Sequence, residues 1–272
     1  MSICAGETFK LKELNNLFIE MTSKNCNNRC NSCFIEFPPS RTVKDFIPVD
    51  VVKEGLKDSW NEKIQCIYLT GAEPMTHPDF NSILRMCLKR CNVCICTNGS
   101  FLNEKKIRFL KKVEDEGNSQ IFFKLTLTHY VESENDKSRY RGNYRQTIFA
   151  LKNLCRYNFT SVLSVQNYYK LSEREIMENF KEIFSKQNIT DTDIQIHESF
   201  PTETDTDMTE TSPDCTKGRV LAAKGIYCCP FLANDYRGRC GTSLKDYSKT
   251  ISAETNFCIT CAKNKKPMFS IG

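Results

Sequence analysis

The sequence predicts an α/β fold, with repeated strand–helix units over residues 1–200 and a small cysteine-rich unit over residues 201–272. Three observations carry this expectation. Short apolar runs alternate with amphipathic patterns six times, which is how βα units and a parallel sheet read in a sequence. The alternation stops at 198–214, a stretch with six acidic residues, five threonines and no basic residue. Beyond it come six cysteines, at positions 215, 228, 229, 240, 258 and 261.

The first strand is expected at 17–21, ending just before a cysteine loop. Residues 48–60 read as a helix with Val51, Val52, Gly55 and Leu56 on one face. Strand 64–69, helix 79–90 and strand 92–96 follow. The next helix spans 103–116. Asn103 is placed to cap it, and Lys106 stands where a capping box would have Glu. Strand 121–128, helix 144–157 and strand 160–166 continue the series. Helix 172–186 opens on Ser172 with Glu175 three residues on, a capping box. Strand 193–198 is the last. In it His197 alternates with Ile194 and Ile196, which leaves open whether it faces the interior or the outside. The acidic stretch reads as a solvated linker, or as a segment crossing the mouth of the sheet against a cationic substrate.

The chain has 272 residues, 40% hydrophobic and 26% charged, enough for a full core. A net charge of +5 does not indicate nucleic acid or a membrane surface. No apolar run approaches the ~20 residues of a membrane span. The N-terminus lacks a basic start and an apolar stretch, so no secretory signal is expected. Sixteen cysteines then point to metal or redox chemistry in a reducing cytoplasm, not to disulfides.

The densest cluster is Cys26-Asn-Asn-Arg-Cys30-Asn-Ser-Cys33, three thiols in eight polar residues. A zinc site or a complete 4Fe–4S cluster wants four protein ligands. Three from one short loop imply a cubane with one iron left open. Cys87, Cys91 and Cys94 repeat the spacing but straddle a helix end and a strand entry, beside Leu88 and Val93. They read as small buried hydrophobes, as do Cys4, Cys66, Cys96 and Cys155.

The CxxxCxxC spacing resembles the radical S-adenosylmethionine (radical SAM) superfamily. Three further segments match in the family's order. Thr70-Gly-Ala-Glu-Pro74 is similar to its GGEP motif and precedes an HPDF segment at 77–80, where His77 reads as structural. Thr97-Asn98-Gly99 ends a strand, and 140–149 is similar to the segment before the fourth barrel helix. The resemblance implies a partial (β/α)6 TIM-type barrel with chemistry at the C-terminal strand ends. It assigns Cys26, Cys30 and Cys33 to the cluster, and Glu73, with Gly71 and Ala72, to the SAM amino group. Ala72 departs from Gly-Gly but is small. Ser32 stands where the family usually has an aromatic residue against the adenine, so Phe34 is the candidate there. Arg141 is the first choice for the SAM carboxylate, since a guanidinium binds carboxylates in bidentate fashion. Asn98, Thr126, Thr128, His129, Ser164 and Asn167 sit at or beyond strand ends, where they contact a ligand or satisfy backbone groups.

The tail resembles the SPASM/twitch extension of such enzymes, through Cys215, Gly225-Ile-Tyr-Cys228-Cys229-Pro230 and Cys258-Ile-Thr-Cys261. One auxiliary 4Fe–4S cluster on Cys215, Cys228, Cys258 and Cys261 fits, with Cys229 the substitute for Cys228. A zinc ribbon on the same thiolates is the alternative. Cys240 is left over, either idle or a hydrogen-atom donor.

The resemblance implies reductive cleavage of SAM to a 5′-deoxyadenosyl radical, which removes a hydrogen atom from a substrate. The electron would come from a flavodoxin or ferredoxin-type donor. Size and tail favour net oxidation of a small molecule in natural-product biosynthesis. The alternatives are a ribosomal-peptide maturase and a non-catalytic zinc or iron–sulfur binding protein.

Overall fold

The computed structural model describes residues 8–38, 45–198, 213–252, 258, 261 and 267–271. Cys4 and 199–212 of the acidic stretch lie outside the described residues. The barrel units run β2 (Asn16–Thr22), α1 (Val49–Asp58), β3 (Cys66–Gly71), α2 (Phe80–Leu88), β4 (Asn92–Thr97), α3 (Glu104–Asp115) and β5 (Ile121–Leu127). They continue with α4 (Glu132–Ser138), α5 (Asn143–Arg156), β6 (Ser161–Asn167), α6 (Glu173–Gln187) and β7 (Thr192–Glu198). A short β1 (Thr8–Lys10) precedes them. The tail adds α7 (Pro213–Lys217), β8 (Gly218–Ala222), β9 (Gly225–Tyr227), β10 (Arg239–Ser243), β11 (Asp246–Tyr247) and β12 (Thr250–Ser252).

Strands β2 to β7 pair in parallel and in chain order, as a partial barrel requires. Their outer face packs on the helices, with Leu17, Ile19, Ile67, Leu69, Val93 and Ile95 at or near zero exposure. Their inner face carries Phe18, Tyr68 and Cys94. Strands covered on both faces read as apolar runs, which is why β2 to β5 stand out in the sequence; β7 instead alternates Ile194 and Ile196 with polar residues. The helices offer one apolar stripe each; in α3 it is Ile107, Leu110 and Val113. Asn103 does cap α3, accepting from the Lys106 amide at 2.9 Å. Ser172 caps α6 through the Glu175 amide at 3.2 Å. The capping box there is only half made, because the Glu175 carboxylate accepts from the Tyr130 hydroxyl at 2.6 Å instead.

Helix α4 was not expected. Its sequence, ESENDKS, has no apolar stripe, and the residues it buries are Asn135 and Ser138. Polar ties hold it in place. The Thr128 amide donates to Asn135 Oδ1 at 3.0 Å, and Thr128 Oγ1 lies 2.6 Å from Ser138 Oγ.

The tail continues the barrel sheet. β8 pairs in parallel with the free edge of β2, and β9, β10 and β11 follow antiparallel. β1 and β12 form a separate antiparallel pair. Residues 268–271 then run into the barrel interior. Asp214, 4% exposed, accepts from the Phe269 amide at 2.8 Å and from Ser270 Oγ at 2.7 Å. Lys124 Nζ, pointing inward from β5, donates to the carbonyls of Met268 at 2.9 Å and Ser270 at 3.1 Å. The Ile271 amide donates to the Tyr68 hydroxyl. Among the described residues no helix is long and apolar enough to cross a membrane.

Candidate functional site

A cavity of about 560 Å³ opens at the C-terminal ends of β2 to β7. The cysteine loop forms one wall, with Cys26, Cys30, Cys33 and Phe34 lining it. Gly71, Ala72, Asn98 and Ser164, all expected at the site, line it too. So do Cys96, Lys124, Thr126, Gln166 and His197, which settles the direction of His197 as inward.

The loop is clamped at both ends. At its start, the Ala72 amide donates to the Thr22 carbonyl at 2.9 Å and the Glu73 amide to the Asn25 carbonyl at 3.1 Å. This close approach explains Gly71. Its φ is +109°, and a Cβ there would stand 2.2 Å from the Thr22 carbonyl oxygen. At the loop's other end, the Ser32 amide donates to the Ser138 carbonyl at 3.1 Å and Asn31 Nδ2 to that of Lys137 at 3.1 Å. The C-terminal carbonyls of α4 are thus satisfied by the cysteine loop. The middle is tied by Asn98 Nδ2, which donates to Asn27 Oδ1 at 3.0 Å and approaches Cys26 Sγ at 3.8 Å. Gly99 follows in a left-handed conformation, packed against Leu125 and Ala150.

The donor set fits an iron–sulfur cluster. Three thiols face the cavity, and the Asn28 amide donates to Cys26 Sγ at 3.3 Å. Asn28 Nδ2 and Ser32 Oγ are buried on the same wall without a partner, two polar groups that an anionic cluster could satisfy. Burial pushes the Cys26 thiol up to about 12, with Glu73, Cys30 and Cys33 adding to it. Cys26 would give up its proton on binding a metal.

Several expected contacts are placed otherwise. Glu73 is fully buried behind the cavity wall. Its carboxylate accepts from the Met75 amide at 3.0 Å, the Asn98 amide at 2.9 Å and Thr97 Oγ1 at 2.9 and 3.0 Å. It joins the ends of β3 and β4. Burial still raises it to about 7. Arg141 is exposed and does not line the cavity; Arg139 does, with Nε donating to Asn143 Oδ1 at 2.9 Å. Thr128 is occupied with Asn135 and Ser138. Asn167 holds the next turn through Leu171, at 2.8 and 2.9 Å. His129 is likewise taken up locally, accepting from the Val131 amide. His77 is structural as expected, with Nε2 at 2.8 Å from the Ile47 carbonyl.

Lys124, Arg139 and Gln166 line the cavity without having been singled out in the sequence, and so does Glu20. Glu20 faces inward from β2 beside Asn234, which donates to its Oε2. Burial, with Asp45 nearby, pushes it up to about 7. Its alternation with the inward Phe18 was the available signal.

The tail thiols form a second group. Cys215 is pushed up to about 12 by burial, then by Cys258 and Cys228. Cys229 is raised, first by its hydrogen bond with Cys228, then by burial, with Cys228, Cys215 and Cys261 adding to it. Cys240 stands with this group and does not line the cavity. No three His, Cys, Asp or Glu side chains among the described residues converge on a single-ion site. Phe34 meets Phe231 edge to face at 4.8 Å, and Phe231 follows Cys229-Pro230, so one aromatic pair joins the two cysteine regions.

Parallel α/β sheets place their ligands at the C-terminal strand ends. Here that position carries three thiols over a ligand-sized cavity, the arrangement of an enzyme that pairs a metal cluster with an organic cofactor. The chain belongs to the radical SAM superfamily, whose family model matches residues 21–183, more than half of its length. Members bind SAM and a 4Fe–4S cluster and draw on an electron donor. Among solved structures, Streptococcus suis SuiB bound to precursor peptide SuiA superposes with a TM-score of 0.65 at 13% identity, over 88% of this chain and 64% of SuiB. This chain thus spans less than two thirds of SuiB. anSMEcpe with bound AdoMet gives 0.65 at 13% identity, over 86% and 78%. Methylornithine synthase (PylB) gives 0.50 at 16%, over 70% and 55%. At these identities the likeness is one of fold. A comparison with curated protein sequences finds no match.

Proposed function

We infer that this chain is a radical SAM oxidoreductase that takes a hydrogen atom from a substrate and completes a net oxidation with an auxiliary cluster in its tail. The observation that carries this reading is the placement of two thiol groups, one on the cavity wall and one behind it, joined through Phe34 and Phe231. Cys26, Cys30 and Cys33 would hold the first cluster, which when bound supplies the electron that cleaves SAM. Arg139, replacing Arg141, would bind the SAM carboxylate. Asn98 and the backbone of Gly71 and Ala72 would orient the amino end, and Phe34 the adenine. Met268 and Phe269 of the inward segment would form the apolar floor beside the substrate. Cys215, Cys228, Cys258 and Cys261 would hold the auxiliary cluster, an electron acceptor.

About 560 Å³ lies within the range of small-ligand pockets. Beside SAM it would take one small molecule or one protruding side chain. The first is the main reading, a dehydrogenation in natural-product biosynthesis. The second, peptide maturation, draws support from the fold shared with SuiB, which binds a precursor peptide. The test is anaerobic turnover with deuterated candidates of both kinds. Deuterium in 5′-deoxyadenosine from a small molecule, with a product two hydrogens lighter, supports the main reading. Deuterium arriving only from a peptide replaces it with the second.

A further inference from the structure

Among the described residues, Arg219 is the largest side chain with no exposure at all. It sits on β8 next to Val220, whose partner on β9, Tyr227, directly precedes Cys228. Its guanidinium donates to the carbonyls of Cys215 and Lys249 at 2.9 Å and of Gly218 at 2.7 Å. Nε is buried without a partner, and no carboxylate pairs with it among the described residues. The thiols of Cys215, Cys228 and Cys240 all feel its charge.

An arginine does not shed its proton inside a protein. A buried, unpaired charge is strongly unfavourable, and carbonyl dipoles compensate it only in part. Thiolates bound to a metal centre are anionic and would supply the missing charge. We propose that Arg219 is the resident counter-cation of a thiolate-bound centre in the tail, a positioning residue that sets the centre's potential and retention without lining the cavity. The proposal rests on the reading of the tail cysteines as cluster ligands.

The test uses the full chain carrying Cys26→Ala, Cys30→Ala and Cys33→Ala, so that only the tail centre is loaded. Metal analysis reads the cluster assignment first; stoichiometric zinc there overturns that assignment. Redox titration followed by electron paramagnetic resonance reads Arg219. Arg219→Gln should disfavour reduction about tenfold, which is about 59 mV downward for a one-electron couple. Arg219→Lys, which keeps the charge, should restore most of it. Melting temperatures with and without metal give a second reading, free of the potential. Loading should raise the melting temperature of the parent at least about twice as much as that of Arg219→Met, since the two are coupled. An unchanged potential in Arg219→Gln at full iron content overturns the proposal. Equal stabilisation of both proteins by metal also overturns it, and leaves Arg219 a tie between three carbonyls.

Discussion

Single charges around the cavity have separable jobs. Arg139 stands beside the cysteine loop and acts on both Cys33 and Glu73, whereas Arg141 is exposed. Arg139→Gln should raise the KM for SAM at least about tenfold, the size of one lost charge-assisted hydrogen bond. Arg141→Gln should stay within about twofold, as surface substitutions do. The rate of 5′-deoxyadenosine release against SAM concentration reads both. Glu20 governs a pH effect. Its carboxyl keeps its proton up to about 7 in the folded state and only to ~4.3 when unfolded. Between those values the folded state binds more protons, so stability falls as pH rises through that window. Glu73 adds a fall of the same sign. Glu20→Gln should match the parent near pH 5 and lose part of the decline by pH 8, measured as melting temperature. An identical pH profile in both proteins would show that Glu20 is solvated.

At the level of elements, the decisive feature is a loop held by its neighbours. The turn after β3 takes its start and α4 takes its end. Gly71→Ala sets a methyl group against the Thr22 carbonyl, at a left-handed residue. A cost of about 1–3 kcal/mol is expected, seen as a lower melting temperature together with reduced iron bound at the loop. Normal iron content with a normal melting temperature would mean that the turn relaxes freely. Strands β2 to β5 were legible as apolar runs, β6 and β7 by Val, Leu and Ile interleaved with polar residues, and the five long helices because each carries one apolar stripe. α4 was not, because its burial is polar and its partners, Thr128 and the cysteine loop, lie outside its own sequence. The same gap explains Arg141. The motif at 140–149 names that arginine, but only the turn of α4 decides which guanidinium faces the loop. Glu73 and the Thr97-Asn98 segment were both found, while the contact between them was not, since parallel pairing is a long-range fact.

Across the whole molecule, the tail is built into the barrel sheet. β8 extends the sheet from β2, and Asp214 and Lys124 hold residues 268–271 inside it. Asp214→Asn removes a buried carboxylate that accepts from the Phe269 and Ser270 amides and the Ser270 hydroxyl. It should lower the melting temperature and speed proteolysis at the C-terminus; unchanged cleavage would mean that the Lys124 contacts suffice alone. The cysteine loop was legible from spacing, and the tail cysteines were legible as a group. Arg219 was not, because its carbonyl partners come from Cys215, Gly218 and Lys249, up to 30 residues away.

The central claim is a division of labour, with SAM cleavage at Cys26, Cys30 and Cys33 and a separate centre in the tail. The most direct measurement is 5′-deoxyadenosine released from reduced, anaerobically reconstituted protein with SAM. Cys30→Ala should abolish release, and Cys258→Ala or Cys261→Ala should leave it near the parent rate. Release from Cys30→Ala at the parent rate, or its loss in the tail variants with the first cluster intact, would contradict the account.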